Sequence, residues 1–210
     1  MTQKKRSPAR KVVRFLSSVL MVTGALLLVD AGLTLVWQEP ISSFFAQREQ
    51  SRLGDALASP PQRVIERKAL PGDAIGEITL PTQDRSYNVI EGTGTADLRK
   101  GPGHYADTPL PGQRGTVAIA GHRTTYLAPF RKINELKPGD RVIVDMTYGR
   151  FTYEVEKTRI VDPGQTEVKR RVGHDRLILT ACHPLYSAAQ RIVVFARFVR
   201  REPARVGRRR

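Results

Sequence analysis

With 210 residues, 35 lysines and arginines against 20 aspartates and glutamates, and a formal net charge of +15, the chain has room for one domain with a sizeable core plus an accessory segment, and hardly for two domains. Its single cysteine excludes an internal disulfide, and its four scattered histidines give no metal-ligand spacing, so neither a metal nor any other cofactor is expected. The charge excess sits at the two ends, in Lys4, Lys5, Arg6, Arg10, Lys11 and Arg14 and again in Arg200, Arg201, Arg205, Arg208, Arg209 and Arg210; that distribution fits anionic lipid or a polyanionic wall as well as DNA and makes no case for a nucleic-acid partner.

Residues 1–14 form the first basic segment. Residues 15–37 follow, apolar apart from Ser17, Ser18, Thr23, Asp30, Thr34 and glycines. A helix of about twenty residues rising about 1.5 Å per residue crosses a bilayer core of about 30 Å, so this stretch reads as a transmembrane signal anchor. A cleaved signal peptide and a buried core helix are the alternatives, but the run exceeds the usual ~7–15-residue signal core. The neighbouring basic residues all lie on its N-terminal side, which predicts a cytoplasmic N-terminus, an extracellular remainder and Trp37 near the outer interface. Asp30 is costly in lipid unless it lies close to the outer face. Residues 38–70, with Pro60-Pro61, read as a short helical stub and an extracellular linker, in which Phe44 and Phe45 either dock on the domain or graze the membrane.

From Pro71 the texture changes to short apolar runs between turns, at residues 74–80, 87–91, 116–120, 141–146, 151–161, 177–181 and 191–199. Repeated short strands punctuated by Gly and Pro predict a mainly β domain over residues 71–200, a barrel or sandwich. Phe151, Tyr153 and Val155 alternate with Thr152, Glu154 and Glu156, one face in and one out, and Tyr148-Gly149-Arg150 turns the preceding strand back into this one. Residues 129–136 are a short helix candidate, ended by Lys137-Pro138-Gly139-Asp140. Gly92-Thr93-Gly94 lacks the lysine and helix of a phosphate loop and reads as a turn. Residues 201–210 are expected to be a basic disordered tail.

Three chemistry-bearing residues fall at strand ends. Cys182 closes the run beginning at Leu177, just before Pro184; His122 follows Gly121 after the run 117–120; Arg191 opens the strand Ile192 to Phe195. Each has a plain alternative: a small buried thiol, a turn histidine, an arginine paired with a surface carboxylate. Together they supply a nucleophile, a proton donor and acceptor, and a cation for a developing oxyanion. His183 is poorly placed to serve Cys182, because adjacent strand residues point to opposite faces. His104 reads as shaping a loop, and His174 as lying on a surface turn.

The order strand-Gly-His, strand-Thr-x-Cys and strand-Arg, with GHRTTY around His122 and CHP at Cys182, resembles the sortases, and most of all the class E sortases of actinobacteria. The resemblance covers roughly residues 71–200. It implies a closed eight-stranded sortase-type β-barrel with short helices, with Cys182 as nucleophile, His122 as acid and base, and Arg191 as oxyanion stabiliser. It also implies cleavage of a LAXTG- or LPXTG-like C-terminal sorting signal between Thr and Gly, with transfer of secreted proteins to an amine of a cell-wall precursor or another protein. Ala181 and Tyr126 are the positions expected to touch substrate. Two departures stand out: the family's usual TLTTC reads ILTAC here, with Ile178 and Ala181 where threonines are common, and Leu127 stands where glycine is frequent. The rival readings are a non-catalytic, membrane-tethered barrel that binds wall polymers and a plain thiol hydrolase.

Overall fold

The computed structural model describes residues 8–37 and 40–204, in two compact units, Met1–Pro40 and Ile41–Arg210. The basic residues ahead of Pro8 and those from 205 onward lie outside the described residues. The first unit is the helix α1 (Pro8–Trp37). Its apolar span, Arg10–Leu33, is 24 residues long with a mean hydropathy of 2.2 and none of it buried. A helix of this length and apolar composition can cross a membrane. Asp30 falls in the last turn of that span.

In the second unit, eight strands close into a barrel in the order β1-β2-β3-β4-β7-β8-β6-β5. They are β1 (Ala74–Leu80), β2 (Arg85–Glu91), β3 (Gly103–His104), β4 (Thr116–Ala120), β5 (Arg141–Met146), β6 (Gly149–Val161), β7 (Arg176–His183) and β8 (Gln190–Glu202). β2 with β3 and β4 with β7 run parallel, and the other pairs are antiparallel. Closure leaves no bare edge. The period of two divides each strand between two apolar clusters. Val117, Ile119, Val144, Phe151, Tyr153, Leu177, Leu179 and Val194 point into the barrel. Ala118, Ile178, Val193 and Phe195 form a smaller cluster on the opposite face of β4, β7 and β8, covered by Tyr105 and Val168.

Three expectations are corrected, and one strand went unanticipated. Residues 40–58 are not a stub and spacer but a helix, α2 (Pro40–Ala58), docked on the barrel. Ala46, Gln50, Leu53 and Leu57 recur every three or four residues and are all buried, Leu53 and Leu57 against Ala74 and Ile90, while Phe44 and Phe45 face outward. The helix expected at residues 129–136 is a single 3-10 turn, Ile133–Glu135, because Pro129 and Pro138 hem in too short a segment. Strand β8 continues to Glu202, with Arg201 and Glu202 paired to Phe151 and Arg150, so the tail begins later than residue 201. The two-residue β3 carried no periodicity that could announce it; Gly103 is required there because a Cβ would overlap the carbonyl oxygen of Gly92.

His104 holds this region together. It is 1% exposed, with Nδ1 at 3.0 and 3.1 Å from the two carboxylate oxygens of Glu91 and Nε2 donating to the Pro109 carbonyl at 3.0 Å. It therefore shapes the loop after β3, as the sequence suggested. His174 lies half exposed on the surface, 3.5 Å from Glu156.

Candidate active site

Two ladders bring the three strand ends to one level. Along the parallel pair β4 and β7, Ala120 faces Thr180, and the Gly121 amide donates to the Thr180 carbonyl at 3.0 Å; two residues further along the two segments come His122 and Cys182. Across the antiparallel pair β7 and β8, Cys182 faces Arg191. Strand parity then sets the face. Cys182 shares the outer side of β7 with Ile178 and Thr180, and Arg191 shares that of β8 with Val193 and Phe195. Thiol and guanidinium thus stand on the same face at the same end of the barrel, and β4 brings the His122 backbone to that end.

The half-buried His122 sits in a tightly wound loop. The Phe130 amide donates to its carbonyl at 3.0 Å, and the Tyr126 ring packs against its imidazole with centroids 5.2 Å apart, tilted 42°. Gly121 lets the buried Phe130 ring approach, since a Cβ would lie 2.6 Å from it. Tyr126, Leu127 and Ala128 follow with φ of +50°, +66° and +42°, three consecutive residues in the left-handed region that costs L side chains about 1–2 kcal/mol each. The loop is held by Ala128 N–H to Thr125 O at 2.8 Å and by Tyr126 N–H to Ser42 Oγ of α2 at 3.3 Å. Leu127, where glycine is frequent in the resembled family, pays that strain in part with apolar contact to the barrel core.

Cys182 is a partly exposed free thiol. Arg191 donates from Nη1 to the carbonyls of Ala188 and Gln190, at 3.0 and 2.9 Å, and so is braced by the turn between β7 and β8. Tyr126 lies at the site through its contact with His122. Ala181, also expected to touch substrate, is 4% exposed and belongs to the barrel interior with Leu177 and Leu179. Residue parity puts position 181 on the face opposite Cys182.

Sequence reasoning passed over Arg123. It is 4% exposed and donates to the Cys182 carbonyl at 3.3 Å, to His183 Nδ1 at 3.2 Å and to Asn134 Oδ1 at 2.7 Å. Burial lowers its pKa below the ordinary arginine value, the positive Arg131 adds to this, and Cys182 acts in the opposite direction. The only signal was position, an obligate cation directly after His122 at the end of an apolar strand. Thr180 and Tyr105 were missed as well; their hydroxyls meet at 3.1 Å beneath the outer face of β7.

The Sortase domain family model matches residues 78–199. Sortase D of Bacillus subtilis is 37% identical over 133 residues, 61% of this chain and 65% of the relative. Sortase SrtE1 of Streptomyces coelicolor is 26% identical over 221 residues, 97% of this chain and 62% of the relative. Either match therefore spans less than two thirds of the curated relative's length. Among solved structures, sortase E from Streptomyces avermitilis is 32% identical, covering 67% of this chain and 97% of that one with a TM-score of 0.60.

Proposed function

The chain belongs to the sortase family, and from that premise we propose that it is a cysteine transpeptidase that cleaves a LAXTG- or LPXTG-like sorting signal between Thr and Gly and transfers the acyl part to an amine. The observation that carries the reading is the facing pair Cys182 and Arg191, on one face with His122 at the adjoining strand end.

In this reading the Cys182 thiolate attacks the Thr carbonyl carbon, and the carbonyl π electrons move to oxygen. Arg191 meets that oxyanion. Its bonds to the turn use Nη1, which leaves the Nη2 and Nε donors of the planar fork for a substrate oxygen. The tetrahedral species collapses as the C–N bond breaks, and His122 as imidazolium gives its proton to the departing glycine amine. A thioester remains on Cys182. The neutral His122 then takes a proton from the incoming amine as it attacks the thioester carbonyl, and the thiolate leaves. In this reading Tyr126, against the His122 ring, touches the bound signal.

The apolar helix α1 is read as a single-pass anchor, with the basic N-terminus cytoplasmic and the barrel outside the cell. There the barrel would meet secreted proteins that carry a sorting signal and the amine of a cell-wall precursor or of another protein.

The test is intact-mass analysis of the full chain in detergent with a LAXTG peptide, with and without an amine acceptor, beside Cys182→Ala. The expected result is an acyl adduct on the parent, absent in the variant and converted to amide product by the amine. Absence of adduct and cleavage with both LAXTG and LPXTG peptides would overturn the reading in favour of a non-catalytic barrel that binds wall polymers.

A further inference from the structure

We propose that Arg123 is a positioning residue for this transpeptidation, a buried clamp that sets the spacing between His122 and Cys182; the inference rests on the reading of those two residues given above.

The argument begins with chain connectivity. Arg123 is the residue after His122, so its backbone moves with the imidazole, and its guanidinium grips the carbonyl oxygen of Cys182 itself at 3.3 Å. One side chain therefore ties the backbone carrying the acid-base group to the backbone carrying the nucleophile. Gly121 N–H to Thr180 O is the last backbone bond of that ladder. Beyond it β4 ends at Ala120 and the chain turns away, so the Arg123 clamp replaces the sheet bonds where the ladder has stopped.

The energetics give the clamp its purpose. A guanidinium 4% exposed is expensive to desolvate unless its donors are met. Among the described residues Arg123 makes no carboxylate ion pair. Its acceptors are a main-chain carbonyl, an amide oxygen and an imidazole nitrogen, drawn from the β7 end and the 3-10 turn at Asn134; they take up Nη1 and Nη2, while the buried Nε meets no acceptor among the described residues. A structural arginine placed for stability alone is ordinarily answered by a carboxylate. This one instead ties the end of β7 to the 3-10 turn at Asn134.

His183 completes the arrangement. A guanidinium only donates, so in this contact His183 Nδ1 is the acceptor, at 3.2 Å. The second histidine beside Cys182 is thereby held as a hydrogen-bond acceptor, turned to Arg123 rather than to the thiol, which leaves His122 as the imidazole that exchanges protons with substrate.

The experiment compares full-length wild type, Arg123→Lys and Arg123→Met in detergent, with rates normalised to the thiol titratable by an alkylating reagent. Each rate is also corrected for the folded fraction by near-UV circular dichroism, since the thiol of an unfolded chain is titrated too. Misplacing reacting groups by about 1 Å costs on the order of 100-fold, so kcat for Arg123→Met is expected to fall about 100-fold with KM changed less than about threefold, and Arg123→Lys is expected to recover part of the loss. Asn134→Ala, a surface change that removes one acceptor, gives a smaller fall in kcat and serves where Arg123→Met does not fold. A corrected kcat within threefold of wild type for Arg123→Met, or for Asn134→Ala where Arg123→Met does not fold, or a rise in KM alone, overturns the inference. A wild type without adduct or amide product instead removes the premise, an outcome distinct from an active wild type with indifferent Arg123 variants.

Discussion

Cys182 and Arg191 face each other across β7 and β8, yet the Arg191 guanidinium is braced by the carbonyls of Ala188 and Gln190 rather than left to swing. The brace fixes Nη1 of the planar fork on the turn between β7 and β8. Lysine has the charge without the fork. Arg191→Lys is expected to lower single-turnover acylation, followed by intact mass, by about 100- to 1,000-fold, the range for losing an oxyanion donor, with little change in Tm.

Gln50 and Asn88 are interlocked. Gln50 Nε2 donates to the carbonyls of Asn88 and Lys100, its Oε1 accepts from the Asn88 amide, and the Asn88 side chain donates to the Gln50 carbonyl. Gln50→Ala leaves the partners of a buried amide unmet, at about 1–3 kcal/mol. The expected result is a lower Tm together with faster hydrogen exchange at the Asn88 amide; unchanged exchange there would show that α2 docks through its apolar face alone.

At Leu127, glycine would relieve a φ of +66°, a gain of about 1 kcal/mol, and would forfeit a partly buried apolar contact of similar size. Leu127→Gly is therefore expected to change stability by less than about 1 kcal/mol in denaturant titration. Leu127→Val, β-branched in the same left-handed position, is expected to be the less stable of the two.

Acid stability depends on Asp73. Its bidentate bonds to Arg63, at 2.8 and 2.6 Å, hold its carboxyl below the usual range; partial burial opposes this, and the Leu70 amide assists. A depressed carboxyl contributes stability that is present above its unfolded value and lost as pH falls through its folded one. Asp73→Asn is expected to weaken the protein at neutral pH and to flatten its loss of stability below about pH 4. Glu77 runs the other way: burial, then the nearby Asp145, raise its carboxyl, so its ionisation costs stability as pH rises through the folded value. Thermal melts between pH 3 and 7 of Asp73→Asn and Glu77→Gln should show opposite changes at the neutral end.

By itself the sequence determined the apolar helix, seven of the eight strands and the hairpin that sets Cys182 against Arg191, because a period of two, turn residues and the length of an apolar run are local properties of the chain. Parity would also have shown Ala181 turning inward with Leu179, had it been applied there. Only the tertiary structure decided the rest. The two-residue β3 is too short for any period; α2 owes its docking to Gln50 meeting a strand 38 residues away; and the role of Arg123 depends on acceptors 59 and 60 residues off. A buried polar group is stable only where its partners converge, and that convergence is a property of the closed barrel that no single segment carries.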